Sequence, residues 1–168
     1  MKMEFGLYTV EGEYLLPSGS GGSQIGKIEV LEDFRLIGEL ADENEKPFNF
    51  GVTEKSIIGI YQQNEDRIYL LKTPFFTEKF MPVMWRFDKR RGDYFYGSYI
   101  FIPKMSSPII QDLFGKIPRG DKGLFFKDIK KEIPREKLEL LLLNPSTALE
   151  FDGSKVSNLT GYLQFTRI

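Results

Sequence analysis

Histidine and cysteine are both absent from the 168 residues of this chain. Histidine is the side chain that most often serves as general base or metal ligand near neutral pH, and cysteine is the most accessible nucleophile. Their absence excludes Ser-His-Asp and Cys-His triads, zinc fingers and disulfide bonds. Any chemistry must rest on carboxylates, lysines, tyrosines and hydroxyls, and the sequence indicates no catalytic residue, metal ligand or cofactor site.

The chain also lacks a strong net charge and a long apolar run. It has 23 basic and 24 acidic residues, for a formal net charge of −1, so no overall field attracts nucleic acid or an anionic membrane. No stretch approaches the roughly 20 apolar residues that cross a bilayer, and no apolar run follows residues 1–5 as in a signal peptide. We expect a single cytoplasmic domain over residues 1–168 that does not cross a membrane.

Aromatic residues, in contrast, are abundant. Fifteen Phe, eight Tyr and one Trp make up 14% of the chain, a composition that favours strands with a large aromatic core or a ligand cavity. About eight short β-type segments follow one another up to residue 102, with a turn predicted at residues 11–13 and a bulge at Gly97. Their spacing of roughly 8–12 residues is typical of an antiparallel barrel or sandwich.

The pattern changes after Pro103. Ser107 and Pro108 indicate the start of a first helix, and Pro134 that of a second helix, which Asn144 and Pro145 end. Its leucine run at 140–143 predicts a helix packed between the sheet and the preceding helix, or one that contacts a partner subunit. Alternation at 159–168 predicts a final strand. The fold prediction is therefore mainly β, with two short helices before a C-terminal strand.

Residues 17–23 are rich in serine and glycine. Such a composition has no apolar anchor and predicts a flexible loop without a function of its own. Both a natural loop and an engineered linker fit the pattern.

This order of elements, many strands followed by helix and one last strand, resembles that of lipocalin-like (calycin) barrels. The resemblance covers the element order only, because the Gly-x-Trp signature of the first strand is missing and the single tryptophan is Trp85. It implies a closed barrel whose interior or mouth holds an apolar ligand. The alternative is that aromatic side chains simply fill the interior.

Five aromatic residues near the end of the β-rich part are the candidate ligand-binding residues. They are Trp85, Tyr94, Tyr96, Tyr99 and Phe101. Because aromatic rings bury a large area at few rotatable bonds, they suit either an apolar small molecule or a partner protein. We therefore interpret the chain as a non-catalytic binding protein.

A basic segment lies beside these rings, with Lys89, Arg90 and Arg91 at a predicted hairpin tip. Cations that follow phosphates next to rings that stack on bases are what single-stranded nucleic acid requires. The segment fails the RNP1 pattern, and an exposed hairpin tip explains it equally well. Nucleic-acid binding is thus a second alternative.

Carboxylates offer the enzymatic alternative, a hydrolase or isomerase that works with two carboxyl groups within about 10 Å of each other. The acidic segment at 42–45 is interpreted as a hairpin loop, and Glu136 and Glu139 as the solvated face of the last helix. No spacing in the sequence identifies such a pair.

Overall fold

The computed structural model describes residues 2–15, 21–43, 53–74, 83–101, 130–144, 151 and 159–168. The strands are β1 Gly6–Leu15, β2 Gly21–Val30, β3 Arg35–Glu43, β4 Thr53–Gln62, β5 Arg67–Pro74, β6 Val83–Arg91, β7 Tyr94–Phe101 and β8 Thr160–Arg167. An α-helix, α1, spans Arg135–Leu142 and follows a 3-10 turn at Lys130–Glu132. The prediction of a mainly β fold with a short helix before the last strand is confirmed.

The eight strands form a closed antiparallel barrel. Each strand pairs with the next one along the chain, and β8 pairs with β1 over Tyr8 to Tyr14. Closure leaves no open sheet edge in the barrel. The structure therefore selects the barrel over the sandwich, a choice that strand spacing left open.

The two ends of the barrel differ. Short turns at residues 31–34, 63–66 and 92–93 join strands at one end, which we call the turn end. At the opposite end, which we call the mouth, β1 finishes at Leu15 and β2 begins at Gly21. The interior is therefore closed differently at its two ends.

Alternating residues of every strand point inward and form the larger apolar core. Its buried members are Met3, Tyr8, Val10, Tyr14, Ile28, Val30, Leu36, Leu40, Ile57, Tyr61, Ile68, Leu70, Trp85, Phe87, Phe95, Tyr99, Leu163 and Phe165. Those nearer the turn end, such as Ile68, Phe87 and Phe95, have no solvent exposure. Side chains therefore fill the barrel from the turn end to its middle, as the alternative interpretation proposed for the whole interior.

A second core lies outside the barrel, where α1 covers β4 and β5. Leu138, Leu141 and Leu142 are buried there, as expected for a helix with one apolar face on a sheet. Leu140, in contrast, is 63% exposed. Part of the leucine run is therefore buried against the barrel, as predicted, and Leu140 faces away from it.

Two strand features differ from the sequence prediction for a steric reason. The predicted turn at residues 11–13 lies inside the continuous strand β1: a Cβ at Gly12 would lie 1.9 Å from the Tyr162 carbonyl oxygen. This glycine permits the close approach of β8 and is not a turn residue. The predicted bulge at Gly97 lies instead on β6, where the register shifts between Phe87 and Lys89.

Part of the serine- and glycine-rich segment, residues 21–23, belongs to a strand. Gly21, Gly22 and Ser23 belong to β2 and pair with β1, so the strand starts before the apolar residues that predicted it. The ring of Tyr14 packs where a Gly22 side chain would otherwise be, since a Cβ there would lie 2.5 Å from the ring. The remainder of the predicted loop, residues 17–20, lies outside the described residues.

The predicted helix that begins near Ser107 and the β-type segment at 48–50 also lie outside the described residues. In the part of the chain that the structure describes, no helix has the length and apolar character needed to span a membrane.

Candidate binding site at the barrel mouth

Three polar side chains are buried inside the barrel near its mouth: Gln24, Asp42 and Lys72, with exposures of 2%, 0% and 4%. Gln24 on β2 lies directly opposite Asp42 on β3. The Lys72 Nζ atom, on β5, lies 2.7 Å from Gln24 Oε1 and 2.9 Å from Asp42 Oδ1. We call these three residues the polar trio.

Strand alternation explains why the polar trio lies inside. Asp42 follows Leu40 by two positions and Lys72 follows Leu70 by two, so each continues an inward-facing row. Desolvation of an ammonium and a carboxylate costs about as much as their attraction returns, and a buried pair is often no more stabilising than apolar residues would be. Stability alone therefore gives no reason for this pair.

Tyr14 connects the polar trio to the aromatic part of the core. The Lys72 ammonium lies over its ring, 5.3 Å from the ring centroid. The same ring is 6.4 Å from Trp85 and 6.1 Å from Tyr99 in edge-on geometry, and the Tyr99 hydroxyl donates to the Leu15 carbonyl. One side of the Tyr14 ring thus faces a charge, and its edge faces apolar rings.

The aromatic residues below the mouth are tightly packed. Trp85 stacks on Phe87 with the ring centroids 4.9 Å apart and lies 4.7 Å from Tyr99. Closer to the rim, Val83 and Phe101 oppose each other and are only half-buried. The interior therefore changes from a fully buried aromatic core to a rim with half-buried apolar side chains.

A groove of about 470 Å³ opens at this rim between β1, β2 and β8. Three of its lining residues, Tyr14, Gly22 and Gly161, belong to inward-facing rows, and the others are at outward-facing positions: Glu13, Leu15, Gly21, Ser23, Thr160 and Tyr162. The volume lies within the range of small-molecule sites. Tyr14 forms a wall of this groove and also contacts Lys72, so it separates the groove from the polar trio.

The five aromatic residues predicted from the sequence do not form one face. Trp85, Tyr99 and Phe101 point into the barrel near the mouth, whereas Tyr94 and Tyr96 are on the outer face of β7. Only the first three therefore belong with the site at the mouth.

The two outward tyrosines form a separate cluster with Tyr162 of β8. The three ring centroids are 5.8 to 6.2 Å apart. Burial, together with the nearby carboxylate of Glu13, raises the pKa of the Tyr162 hydroxyl. The local field here is thus set partly by acidic residues of β1.

The basic residues lie on strand β6, not at a hairpin tip, since the turn itself comprises residues 92–93. Arg90 is directed toward the turn end, where its guanidinium lies over Phe95 and pairs with Asp66 at 3.1 Å. Lys89 and Arg91 are exposed and pair in register with Tyr96 and Tyr94. Of the three predicted cations, the two exposed ones lie close to the outer tyrosines.

A hydrogen-bonded network lies at the turn end. The Tyr61 hydroxyl donates to the Asp66 carboxylate and accepts from the Met3 backbone amide. Burial, followed by the hydrogen bond to Asp66, raises the pKa of the Tyr61 hydroxyl. The groups of this network satisfy one another beside a groove of about 560 Å³ that Met3 and Asp66 line.

Among the side chains that the structure describes, Asp42 is the single buried carboxylate, and it pairs with Lys72. Three other carboxylates, Asp33, Glu65 and Glu139, line one groove beside α1, so the carboxylate alternative stays a prediction. Within the same residues, no group of three His, Cys, Asp or Glu side chains could hold a metal ion. The prediction that Asp42 belongs to a hairpin loop is wrong, because β3 continues to Glu43.

Sequence reasoning missed four residues of the site: Tyr14, Gln24, Asp42 and Lys72. One signal could have found Lys72, since a lysine occupies the third place in the inward row after Ile68 and Leu70. A charged residue at a core position of a strand indicates a buried partner. That its partners are on β2 and β3 is evident only from the closed barrel.

No protein-family model, curated protein or solved structure was found to match this chain. The barrel with buried aromatic clusters is compatible with the binding of a ligand or a partner, and the geometry of its residues is the basis for assigning a function.

Proposed function

We propose that this protein is a non-catalytic binding protein that takes up a small, largely apolar ligand at the mouth of its barrel. The observation that carries the proposal is the polar trio, buried beside Tyr14 and below a half-buried apolar rim. Ligand pockets are mostly apolar with a few convergent polar groups that fix orientation. The mouth has this composition.

The packing of the barrel supports a position for the ligand at the mouth. Core side chains at the turn end and in the middle have no solvent exposure, including Ile68, Phe87 and Phe95, and the groove of about 560 Å³ at the turn end has charged side chains in its lining, such as Asp66 and Arg90. The half-buried residues Val83 and Phe101 and the adjoining groove lie at the other end. A ligand therefore binds between the rim and the Trp85 ring, and not along the whole axis of the barrel.

Trp85 provides a direct test, since it is the only tryptophan of the chain. We expect a hydrophobic fluorescent probe to quench Trp85 emission at saturable, low-micromolar concentration. The variant Tyr99→Ala should weaken probe binding at least fivefold, because it removes a ring that contacts Trp85.

Tyr96→Ala is the matched control. It removes a ring of the same kind from the outer face of the same strand, so the probe should bind as tightly as it does to the unchanged protein. If neither variant alters probe binding, or if no probe binds, the proposed site is wrong. If Tyr96→Ala weakens probe binding and Tyr99→Ala does not, the result would instead favour the outer tyrosine cluster as a contact for a partner.

A further inference from the structure

The side chain of Gln24 has one amide oxygen and one amide nitrogen, and the structure determines which is which. Its Oε1 atom lies 2.7 Å from Lys72 Nζ. An ammonium group can only donate hydrogen bonds, so the atom next to it must be the oxygen. The Nε2 atom therefore points away from Lys72, and its orientation does not depend on an arbitrary choice between the two amide positions.

That Nε2 atom is buried and finds no acceptor within the described part of the chain. A buried donor without an acceptor is unfavourable and rare in folded proteins. Gln24 is 2% exposed, so bulk water does not satisfy the donor. An acceptor supplied by a bound molecule would satisfy it.

The neighbouring charges indicate what kind of acceptor fits. Gln24 is neutral, and the Lys72 ammonium is already paired with the Asp42 carboxylate at 2.9 Å. A ligand carboxylate would add a negative charge next to this pair, with the desolvation cost of a buried ion. An uncharged oxygen would accept from Nε2 and add no charge.

A path to this position would open at the rim if the Tyr14 ring moved. The residue two places before Gln24 in the same inward row is Gly22, which has no side chain and lines the groove. The ring of Tyr14 lies over Gly22, so its displacement would connect the groove with the amide.

Resting on the ligand-binding function proposed above, we infer that Gln24 Nε2 donates to an uncharged acceptor oxygen of the ligand, such as an ester or ketone carbonyl. The apolar part of the same molecule then lies against the Tyr14, Trp85 and Tyr99 rings. The site thereby distinguishes neutral carbonyl compounds from fatty carboxylates and from plain hydrocarbons.

The test compares methyl octanoate, octanoate and nonane, three ligands of similar size, by titration of Trp85 fluorescence on the full chain. We expect the ester to bind about tenfold more tightly than the alkane, which is the effect of one good hydrogen bond. Octanoate should bind more weakly than the ester. Gln24→Glu still accepts from Lys72 and lacks the donor, and it should remove the preference for the ester over the alkane.

Each other result has a separate meaning. Equal affinity for ester and alkane overturns the role of Nε2, because an ordered water then satisfies it, and leaves the proposed function intact. Tighter binding of octanoate overturns the neutral-ligand inference. No binding of any of the three overturns both this inference and the proposed function. If Gln24→Glu fails to fold, Gln24→Met serves instead, as it removes the same donor with a similar volume.

Discussion

The two ends of the barrel each contain an aspartate paired with a cation, in very different surroundings. At the turn end, the side chains of Arg90 and Asp66 are 18% and 37% exposed, and short turns close the barrel around them. At the mouth, Lys72 and Asp42 are almost completely buried. Of these two pairs, the mouth pair is thus the one held at a large desolvation cost, which is the kind of arrangement found at functional sites.

The largest expected effect that tests this difference comes from Lys72→Met. Removal of the ammonium leaves the Asp42 carboxylate buried without it, which should lower the free energy of unfolding by about 3–5 kcal/mol. Arg90→Met, at the turn end, should cost only about 1 kcal/mol because its pair is partly hydrated. Urea denaturation at neutral pH measures both.

The double variant Asp42→Leu with Lys72→Met completes this test. It should recover part of the stability lost by Lys72→Met and still bind the ligand more weakly, because it removes both buried charges and also the Lys72 ammonium that orients the Gln24 amide. Equal losses for Lys72→Met and Arg90→Met would contradict the contrast between the two ends.

Substitution of one glycine at each end, Gly22 at the mouth and Gly92 at the turn end, provides a second comparison of the two ends. In Gly22→Ala the new Cβ would lie 2.5 Å from the end of the Tyr14 ring, so the ring must move. We expect a loss of about 1–2 kcal/mol, a changed near-UV circular dichroism signal and at least fivefold weaker probe binding.

Gly92→Ala is its counterpart at the turn end. Gly92 has φ +63 and no atom within 4 Å of an added Cβ, so the cost is backbone strain of about 1–2 kcal/mol with unchanged probe binding. Probe binding that weakens equally in both variants would show that the mouth is not the site.

Tyr61, at the turn end, makes the free energy of unfolding depend on pH in the alkaline range. Its folded-state pKa is raised above 10.0 by burial and by its hydrogen bond to Asp66. The stabilisation that the protonated Tyr61 hydroxyl contributes is therefore complete below pH 10, and it disappears as the pH rises through the higher folded-state pKa. Tyr61→Phe should lose about 1 kcal/mol at neutral pH and show a flatter decline in unfolding free energy above pH 10.

The outer tyrosine Tyr96 is the control for this measurement. It is 39% exposed, so Tyr96→Phe should alter stability at neutral pH by less than about 0.5 kcal/mol. An unaltered alkaline decline in Tyr61→Phe would show that the Tyr61 network does not couple to folding.

The smallest effect is expected for the exposed pair Arg167 and Glu4 near the turn end, with side chains 49% and 70% exposed. Glu4→Gln should change the free energy of unfolding by less than about 0.5 kcal/mol, and less still in high salt. A loss comparable to that of Lys72→Met would mean that exposure does not govern the strength of these pairs.

Particular residues show how far sequence reasoning reached. Alternation at 159–168 predicted β8, and Pro134 predicted the start of α1 at the next residue, because both patterns are local. Gly12 was predicted as a turn residue and lies in a strand, since its role is the approach of a neighbouring strand. Tyr94 and Tyr96 were grouped with Tyr99, although the odd and even positions of β7 face opposite sides of the barrel wall.

The strand-rich composition, the alternation of inward residues and the lack of histidine and cysteine chemistry are evident from the amino-acid sequence. These properties depend on single residues and their near neighbours. The closure of the strands into a barrel and the contact of Lys72 with Gln24 and Asp42 are evident only in the folded chain. Contacts between strands far apart in the chain depend on register and closure, which no local pattern encodes.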